Sequence, residues 1–283
     1  MSITVKNISY HYDNPGSEHS GRQVLCDISV SFDRDSFTAV IGPTGSGKST
    51  FIQHLNLLLR ADQGDILYDG ESIYAQGYDR KKLRSRVGLV FQYPEYQLFE
   101  TDVLSDVSFG PKNLGLPEDE VRKRASQALL QVGFSEADFH RSPFELSGGQ
   151  KRRAAIAGVL AMQPEYLILD EPAAGLDPAG RRELFDMLGE LHKKGGVGII
   201  LVSHSMDDVA KYADRLIVLN EGRILYDATP AEVFSHGKEL ESIGLDVPQA
   251  AKAAQMLRNR GISLPEGLIT MEQVKTAILD HFG

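Results

Sequence analysis

The chain has 283 residues, 42% of them hydrophobic, which is enough for one large domain with a small extension or for two modest domains. The 30 Lys and Arg residues against 39 Asp and Glu residues give a net charge of −9, so we expect no broad basic face for nucleic acid. The single cysteine, Cys26, excludes an internal disulfide and fits a reducing cytosol. The N-terminus lacks the layout of a signal peptide, and the longest apolar runs have strand length, so any link to a membrane is expected through a partner protein.

Two strands are predicted at residues 3–12 and 24–32, on either side of a polar loop from Asp13 to Gly21. Tyr10 and Tyr12 lie near the end of the first strand. An aromatic ring at this place could stack on an adenine ring. Two tyrosines half-packed on a sheet are the alternative interpretation.

A glycine-rich loop follows between a predicted strand at residues 37–41 and a predicted helix at 51–58. It fits the phosphate-binding pattern G-x-x-x-x-G-K-[ST] and comprises Gly42, Pro43, Thr44, Gly45, Ser46, Gly47, Lys48, Ser49 and Thr50. In such a loop backbone N–H groups converge on a phosphate, and the helix N-terminus adds partial positive charge. We expect Lys48 to reach the β- and γ-phosphates and the Ser49 hydroxyl to ligate Mg²⁺. A glycine-rich turn with a surface lysine is the alternative.

Strands and helices then alternate, and this alternation predicts a mostly parallel α/β sheet covered on both faces. The further strands are expected at residues 64–70, 87–91, 166–169, 197–202, 215–219 and 223–226. Ligands of such sheets bind beyond the carboxyl ends of the strands, where Gly42, Gln92, Asp170 and His204 fall.

Helices dominate the region from 101 to 145, which interrupts the alternation like an inserted helical lobe. Within it we predict helices at 101–113 and 117–132. The preceding stretch 80–86 carries five cations and is predicted to be a solvated helix face rather than a site for an anionic partner.

Two acids follow the apolar strand around Leu169. The Asp170 carboxylate can hold Mg²⁺ opposite the Ser49 hydroxyl, usually through water. Successive side chains of an extended chain point in opposite directions, so Glu171 is free to polarise an attacking water as general base. A strand that ends in a solvated acid pair is the alternative.

A second candidate anion cradle opens a helix predicted to run to about Met162. It comprises Leu146, Ser147, Gly148, Gly149 and Gln150, whose hydroxyl and backbone N–H groups can hold an anion at a helix N-terminus. Two cradles separated by a helical lobe indicate two faces that grip the same triphosphate. Taken alone, the stretch is only a glycine-rich N-cap.

The tail beyond Pro230 has a different character. A helix is predicted from Pro248 to Arg260, and a capping box at 270–273 should open a final helix ending near His281. The apolar face of this tail could pack on its own domain or on a second subunit, and is formed by Leu257, Ile262, Leu264, Leu268, Met271, Val274 and Ile278.

These motifs make residues 3–245 resemble the ATPase subunit of ATP-binding cassette (ABC) transporters. The resemblance implies an α/β P-loop NTPase fold: a RecA-like core, an antiparallel β subdomain and a helical lobe at about 95–162. Residues 246–283 would then be a small α-helical extension that could serve dimerisation.

The resemblance also implies roles for individual residues. Gly42–Thr50 would be the Walker A loop that binds ATP, and Leu146–Gln150 the signature, which acts in trans on the ATP of a second subunit. Spacing from Asn7 favours Tyr12 over Tyr10 as the ring that stacks on adenine. The remaining roles are Mg²⁺ ligation by Ser49, Gln92 and Asp170, catalysis by Glu171 with Gln92 of the Q-loop and the switch histidine His204, and Asp177 in the D-loop.

A narrower resemblance is carried by Phe91–Glu100, which is similar to the Q-loop of energy-coupling-factor (ECF) vitamin and metal transporters. The same family is indicated by Leu146–Arg153, Asp170–Pro178 and the C-terminal extension. Phe109–Asn113 resembles the second of that family's two ATPase subunits. Ala173 departs from the Thr or Ser of many relatives without touching a catalytic role.

The ECF resemblance implies an ATP-hydrolysing subunit at the cytoplasmic side of the cell membrane that drives uptake of vitamins or other micronutrients. Its expected partners are a second, different ATPase subunit, a transmembrane coupling protein and a small substrate-binding membrane component, with no nucleic acid. Tyr93, Tyr96, Leu98 and Phe99 could form a groove for an amphipathic helix, ordinary packing between core and lobe being the alternative. The alternatives for the whole chain are a cobalt, nickel or conventional ABC importer ATPase and a soluble ABC scaffold.

Overall fold

The computed structural model describes residues 2–12 and 22–282, so the predicted loop from Asp13 to Gly21 lies outside the described residues. Ten strands lie within these ranges: β1 (Ser2–Tyr12), β2 (Arg22–Asp33), β3 (Phe37–Ile41), β4 (Gln63–Tyr68), β5 (Glu71–Ser72), β6 (Val87–Val90), β7 (Tyr166–Asp170), β8 (Gly198–Val202), β9 (Arg215–Asn220) and β10 (Arg223–Ala228). All but the two-residue β5 were predicted as separate strands, and the bounds differ by at most two residues.

The strands form two sheets. The smaller is antiparallel with the order β2-β1-β4-β5, and the larger has the order β10-β9-β3-β8-β7-β6. In the larger sheet β6, β7, β8, β3 and β9 run parallel, and only the edge strand β10 is antiparallel to its neighbour. Every residue of β3, β7 and β8 is buried, as expected for central strands covered on both faces. The predicted α/β class is therefore confirmed.

Eleven α-helices lie within the described residues: α1 (Lys48–Leu55), α2 (Arg80–Arg86), α3 (Val103–Leu114), α4 (Glu118–Gln131), α5 (Gly148–Leu160), α6 (Pro178–Gly195), α7 (Met206–Tyr212), α8 (Pro230–Ser235), α9 (Gly237–Ser242), α10 (Gln249–Asn259) and α11 (Met271–Phe282). None of them is long and apolar enough to cross a membrane. Helix α1 begins at Lys48, inside the glycine-rich loop, and ends three residues before the predicted end. Leu57 adopts a left-handed backbone with φ of 57°, which cannot continue a helix.

Helices α3, α4 and α5 pack on one another and share one apolar core with the sheet. Val107, Ala125, Leu129 and Ile156 are buried in the same cluster as Leu201 of β8. The helical region therefore shares its apolar core with the sheet, while its predicted bounds at 95 and 162 stay a prediction.

The C-terminal helices α10 and α11 pack on each other through Ala250, Ala254 and Val274. Ile269, between these helices, is buried in a different cluster together with Val209 and Leu216. The tail thus packs partly on its own chain, whereas Met271 is 63% exposed. The division of the chain at residue 245 and a role in dimerisation stay predictions.

Candidate active site

The glycine-rich loop joins β3 to α1, and its backbone has little room for side chains. Gly45 and Gly47 have φ angles of 83° and 100°, a region that favours glycine. A Cβ on Gly42 would lie 2.1 Å from the carbonyl oxygen of Leu219. The buried Ser46 hydroxyl finds no hydrogen-bond partner among the described residues. Both features fit a cradle shaped for a polar ligand such as a phosphate.

Lys48 is folded across this loop. Its Nζ donates hydrogen bonds to the carbonyl oxygens of Gly42 at 2.8 Å and Pro43 at 3.1 Å, and only 6% of the residue is exposed. Burial lowers the pKa of the ammonium group, while the carboxylates of Glu171 and Asp170 act against that shift. The predicted surface-lysine alternative is therefore wrong, because the cation is held inside the loop.

Ser49 and Asp170 come together as predicted, since the Ser49 hydroxyl lies close enough to the Asp170 carboxylate to lower its pKa. Asp170 ends β7 and is 8% exposed; burial raises its pKa, while the Ser49 hydroxyl and the Lys48 charge oppose the rise. A hydroxyl beside a carboxylate is a set of hard oxygen donors that fits Mg²⁺. Gln92 is exposed two residues after β6, the parallel neighbour of β7, and so lies at the same edge of the sheet.

Glu171 leaves the sheet in a left-handed conformation with φ of 49°, while its N–H still donates to the carbonyl of Val202 at 3.0 Å. The carboxyl group is mostly buried, and Nε2 of His204 lies 3.1 Å from its Oε1. Burial, reinforced by the charge of Asp170, raises the pKa of Glu171 to about 7. Burial and the charge of Lys48 lower the pKa of His204. Near neutral pH the site therefore combines a carboxyl group that can take up a proton with a mostly neutral imidazole.

Tyr12 and Tyr10 occupy different environments. The Tyr12 hydroxyl lies 3.2 Å from Oγ1 of Thr50, and 44% of Tyr12 is exposed. Tyr10 instead packs edge-on against the buried His54 at 4.8 Å and belongs to the apolar core. Tyr12 packs edge-on against Tyr10 at 5.1 Å but is the more exposed of the two rings beside the loop, and its binding role stays a prediction.

The second cradle caps α5. The N–H of Gln150 donates to Oγ of Ser147 at 3.2 Å, and the N–H of Ser147 donates to Oε1 of Gln150 at 3.0 Å. Together with Gly148 and Gly149, these residues line a cavity of about 460 Å³ that also contains Asp177, the N-cap of α6. Leu146 is buried beneath them.

Among the described residues, the lining of that cavity includes none of the loop from Gly42 to Thr50. The two cradles do not form one site within a single chain. A triphosphate gripped by both would need a second subunit.

Arg152 is a residue of this region that the sequence did not single out. Only 2% of it is exposed, and its guanidinium binds both carboxylate oxygens of Glu95, at 3.0 and 2.5 Å, and the carbonyls of Pro172 and Ala174. It therefore joins α5 to the segment after Gln92 and to the loop after Glu171. Arg152 stands in a run of three cations, Lys151–Arg153, and the sequence does not indicate which of the three is buried.

Aromatic side chains follow Gln92 on the surface. Tyr96 is 84% exposed and Phe99 58%, and each contacts a further exposed ring, Tyr93 and Phe109 respectively. Leu98 packs instead against the core. We call Tyr93, Tyr96, Phe99 and Phe109 the aromatic patch. The predicted set of groove residues is corrected at two positions: Leu98 leaves it, because it packs against the core, and Phe109 joins it, because its exposed ring contacts Phe99.

A lysine-bearing phosphate loop after β3, an acid pair at the end of β7 in the same sheet and a separate capped cradle on a helical region define an ATP-hydrolysing cassette of the ABC class. A family model described as ABC transporter matches residues 25–174. The chain belongs to this family, within the group of energy-coupling factor transporter ATP-binding proteins, EcfA2.

The relatives support this membership over the whole chain. The chain is 50% identical over 281 residues to the energy-coupling factor transporter ATP-binding protein EcfA2 of Caldanaerobacter subterraneus subsp. tengcongensis, covering 99% of this chain and 98% of the relative. The protein of the same name from Clostridioides difficile is also 50% identical over 281 residues, covering 99% and 97%.

Solved structures agree. CbiO1 from Clostridium perfringens, part of the ABC transporter complex cbiONQ, superposes with a TM-score of 0.76 at 39% identity, covering 90% of this chain and 98% of that chain. The dimeric bacterial ABC transporter cassette MJ0796 gives 0.70 at 26% identity, covering 81% and 98%. The predicted identification as an ABC transporter ATPase of the ECF type is confirmed.

Proposed function

We propose that this chain hydrolyses ATP as the energy-coupling subunit of an ECF-type importer and so drives uptake of a vitamin or another micronutrient. The observation that carries the proposal is the contact between Glu171 and His204, beside the Asp170–Ser49 pair and the buried Lys48. These groups lie where adjacent parallel strands end, the usual ligand edge of such sheets.

The chain's own residues divide the chemistry. The loop N–H groups and Lys48 hold the phosphates of the substrate ATP, and Tyr12 stacks on its adenine. Glu171 accepts a proton from the attacking water, a role suited to a carboxyl group whose pKa is about 7. His204, mostly neutral, orients the γ-phosphate. Ser49, Gln92 and Asp170 would hold Mg²⁺, which would supply positive charge against the phosphates.

A second ATPase subunit completes the site. The separate cavities of the two cradles support a head-to-tail pair, in which the signature Leu146–Gln150 of one subunit closes on the ATP of the other. Asp177, in the same cavity, would lie at that interface. The relatives' numbered name, EcfA2, supports a different rather than an identical partner.

The aromatic patch is the surface that we propose for a transmembrane coupling protein. Exposed rings that follow a hinge glutamine can accept the apolar face of an amphipathic helix. Contact there would keep the chain on the cytoplasmic side of the cell membrane, beside a small substrate-binding membrane component. Arg152 binds Glu95 in the same segment and the carbonyl of Pro172 in the loop after Glu171. Through these bonds a movement at the active site would be passed to the aromatic patch.

The experiment is affinity purification of the tagged chain in mild detergent, with mass spectrometry of the retained proteins. We expect a second ATPase subunit, a multi-span membrane protein and a small membrane protein. The variant Tyr96→Asp should lose both membrane proteins and keep the second ATPase. Retention of soluble partners alone would overturn the transport proposal and favour the scaffold alternative.

A second candidate is the ATPase of a cobalt, nickel or conventional ABC importer, and the similarity to cbiO1, part of the ABC transporter complex cbiONQ, fits an ABC importer of either kind. The same purification separates the two, because the substrate-binding component retained with the chain can be tested for binding of a metal ion or of a vitamin.

A further inference from the structure

Helix α7 begins two residues after His204, and two acids in its first turn tie it to distant parts of the chain. Asp208 accepts a hydrogen bond at 2.6 Å from Nε of Arg181 on α6, the helix that Asp177 caps. Asp207 accepts a hydrogen bond at 2.8 Å from the backbone N–H of Gln249, the first residue of α10. The position of α7 is thus fixed from both sides.

The first residues of the C-terminal extension also line a cavity that reaches Glu171 and His204. A cavity of about 380 Å³ is lined by Glu171 and His204 and, from the extension, by Asp246, Val247 and Gln249. Val247 packs in the same apolar cluster as Met206, which opens α7. The extension therefore contacts α7 through an apolar cluster and through a hydrogen bond from a backbone N–H to the Asp207 carboxylate.

Local interactions alone hold His204 weakly. The turn around it rests on the N–H of Ser205, which donates to Oγ of Ser203 at 3.0 Å, and on the N–H of Asp208, which donates to Oγ of Ser205 at 3.3 Å. Helix α7 has seven residues, and helices of that length are unstable without tertiary contacts. Its orientation, and that of the turn before it, must come from such contacts.

We infer that the C-terminal extension positions the switch histidine, and that Asp207 is the positioning residue, by holding the N–H of Gln249. This inference deepens the proposed function, on which it rests, and gives residues 246–249 a part in hydrolysis separate from any dimer contact. Asp207 does not touch the nucleotide; it acts through α7 on His204.

The bond can be removed without removing a side chain interaction. Gln249→Pro deletes the backbone donor together with the exposed Gln side chain, and proline is tolerated at the first position of a helix, where the N–H has no helical partner. Gln249→Ala keeps the N–H and is the matched control. Asp207→Ala removes the acceptor, whereas Asp207→Asn keeps an acceptor oxygen and should restore the bond.

The variants are tested in the complex purified through this chain, by ATP hydrolysis and by amide hydrogen exchange of residues 203–212. For Gln249→Pro and Asp207→Ala we expect kcat to fall by roughly threefold to thirtyfold, because small displacements of a catalytic group lower the rate steeply. The KM for ATP should change less than about twofold, since the phosphate loop and Tyr12 are untouched. The double variant should be no slower than the slower single variant.

Exchange in residues 203–212 should be faster in Gln249→Pro and unchanged in Gln249→Ala. An unchanged kcat in both loss variants, even with a lower melting temperature, would overturn the inference and leave a merely structural contact. If the wild-type complex hydrolysed no ATP, the proposed function would fail, and unchanged exchange in Gln249→Pro would still reject the inference on its own.

Discussion

Nε2 of His204 lies 3.1 Å from Oε1 of Glu171, and the two side chains follow the carboxyl ends of the adjacent parallel strands β8 and β7. The contact places an imidazole that is mostly neutral beside a carboxyl group whose pKa is near 7. Sheet topology thus assembles the pair from distant parts of the chain, and burial tunes it for proton transfer near neutral pH.

The buried Glu171 carboxylate should destabilise the nucleotide-free protein at high pH. Its folded pKa of about 7 lies above the ordinary value of 4.5, so the folded state favours the protonated form. Stability is therefore fully present below the unfolded pKa and is lost as the pH rises through about 7. Glu171→Gln removes the charge and should raise the free energy of unfolding at pH 8 by up to about 3 kcal/mol.

Chemical denaturation at pH 8 and pH 5 checks this, with a much smaller gain expected at pH 5. Glu190→Gln, on the exposed face of α6, is the control and should change stability little at either pH. An equal gain at both pH values would argue against burial of a carboxylate as the cause.

Tyr12 should contribute to nucleotide affinity through its ring. Tyr12→Ala is expected to weaken ATP binding by about 1–3 kcal/mol, the range for stacking of a base on an aromatic side chain. Tyr12→Phe keeps the ring and loses only the contact with Thr50, so its affinity should stay close to wild type. Titration of a fluorescent ATP analogue measures both variants, and equal losses would assign the effect to the hydroxyl instead.

The signature should be far more sensitive to added charge than to added volume. Gly149 lies in the first turn of α5, and a Cβ there meets no described heavy atom within 4 Å. Gly149→Asp should leave the melting temperature unchanged or slightly raised, because an acid suits a helix N-terminus. The same carboxylate would repel a partner-bound phosphate and should abolish hydrolysis by the complex, whereas Gly149→Ala should lose much less. Full activity of Gly149→Asp would contradict the in-trans role.

Arg152 should be among the residues most important for stability outside the apolar core. Arg152→Leu leaves Glu95 partly buried without its cation and is expected to lower the free energy of unfolding by about 3–5 kcal/mol. Adding Glu95→Gln removes the uncompensated charge and should recover part of the loss. Denaturant titration of both variants tests this, and additive losses would show that the two residues are not coupled.

The sequence predicted best what depends on local chemistry. The loop Gly42–Thr50 and the acid pair Asp170–Glu171 could be predicted because each directly follows an apolar strand and has a residue pattern typical of a nucleotide site. The structure brings the two together. The burial of Lys48 and the separation of the signature from the loop depend on tertiary placement, which spacing does not encode.

Other features could not be predicted because their causes are not local. The short helices α7, α8 and α9 have too few residues for a periodic apolar pattern. Arg152 is buried only because Glu95 and two carbonyls converge on it, and the bond between Asp207 and Gln249 joins segments 42 residues apart. Each of these is a long-range contact between segments that look ordinary in the sequence.

The role of Glu171 as the catalytic base is tested by the rate of ATP hydrolysis from pH 5.5 to 9, measured on the membrane complex of this chain with its second ATPase subunit inactivated. We expect the wild-type rate to rise through a midpoint near 7, the pKa of Glu171, and Glu171→Gln to lose about 100-fold or more while still binding ATP. A Glu171→Gln complex that turns over ATP at nearly the wild-type rate would contradict the assignment of Glu171 as the catalytic base.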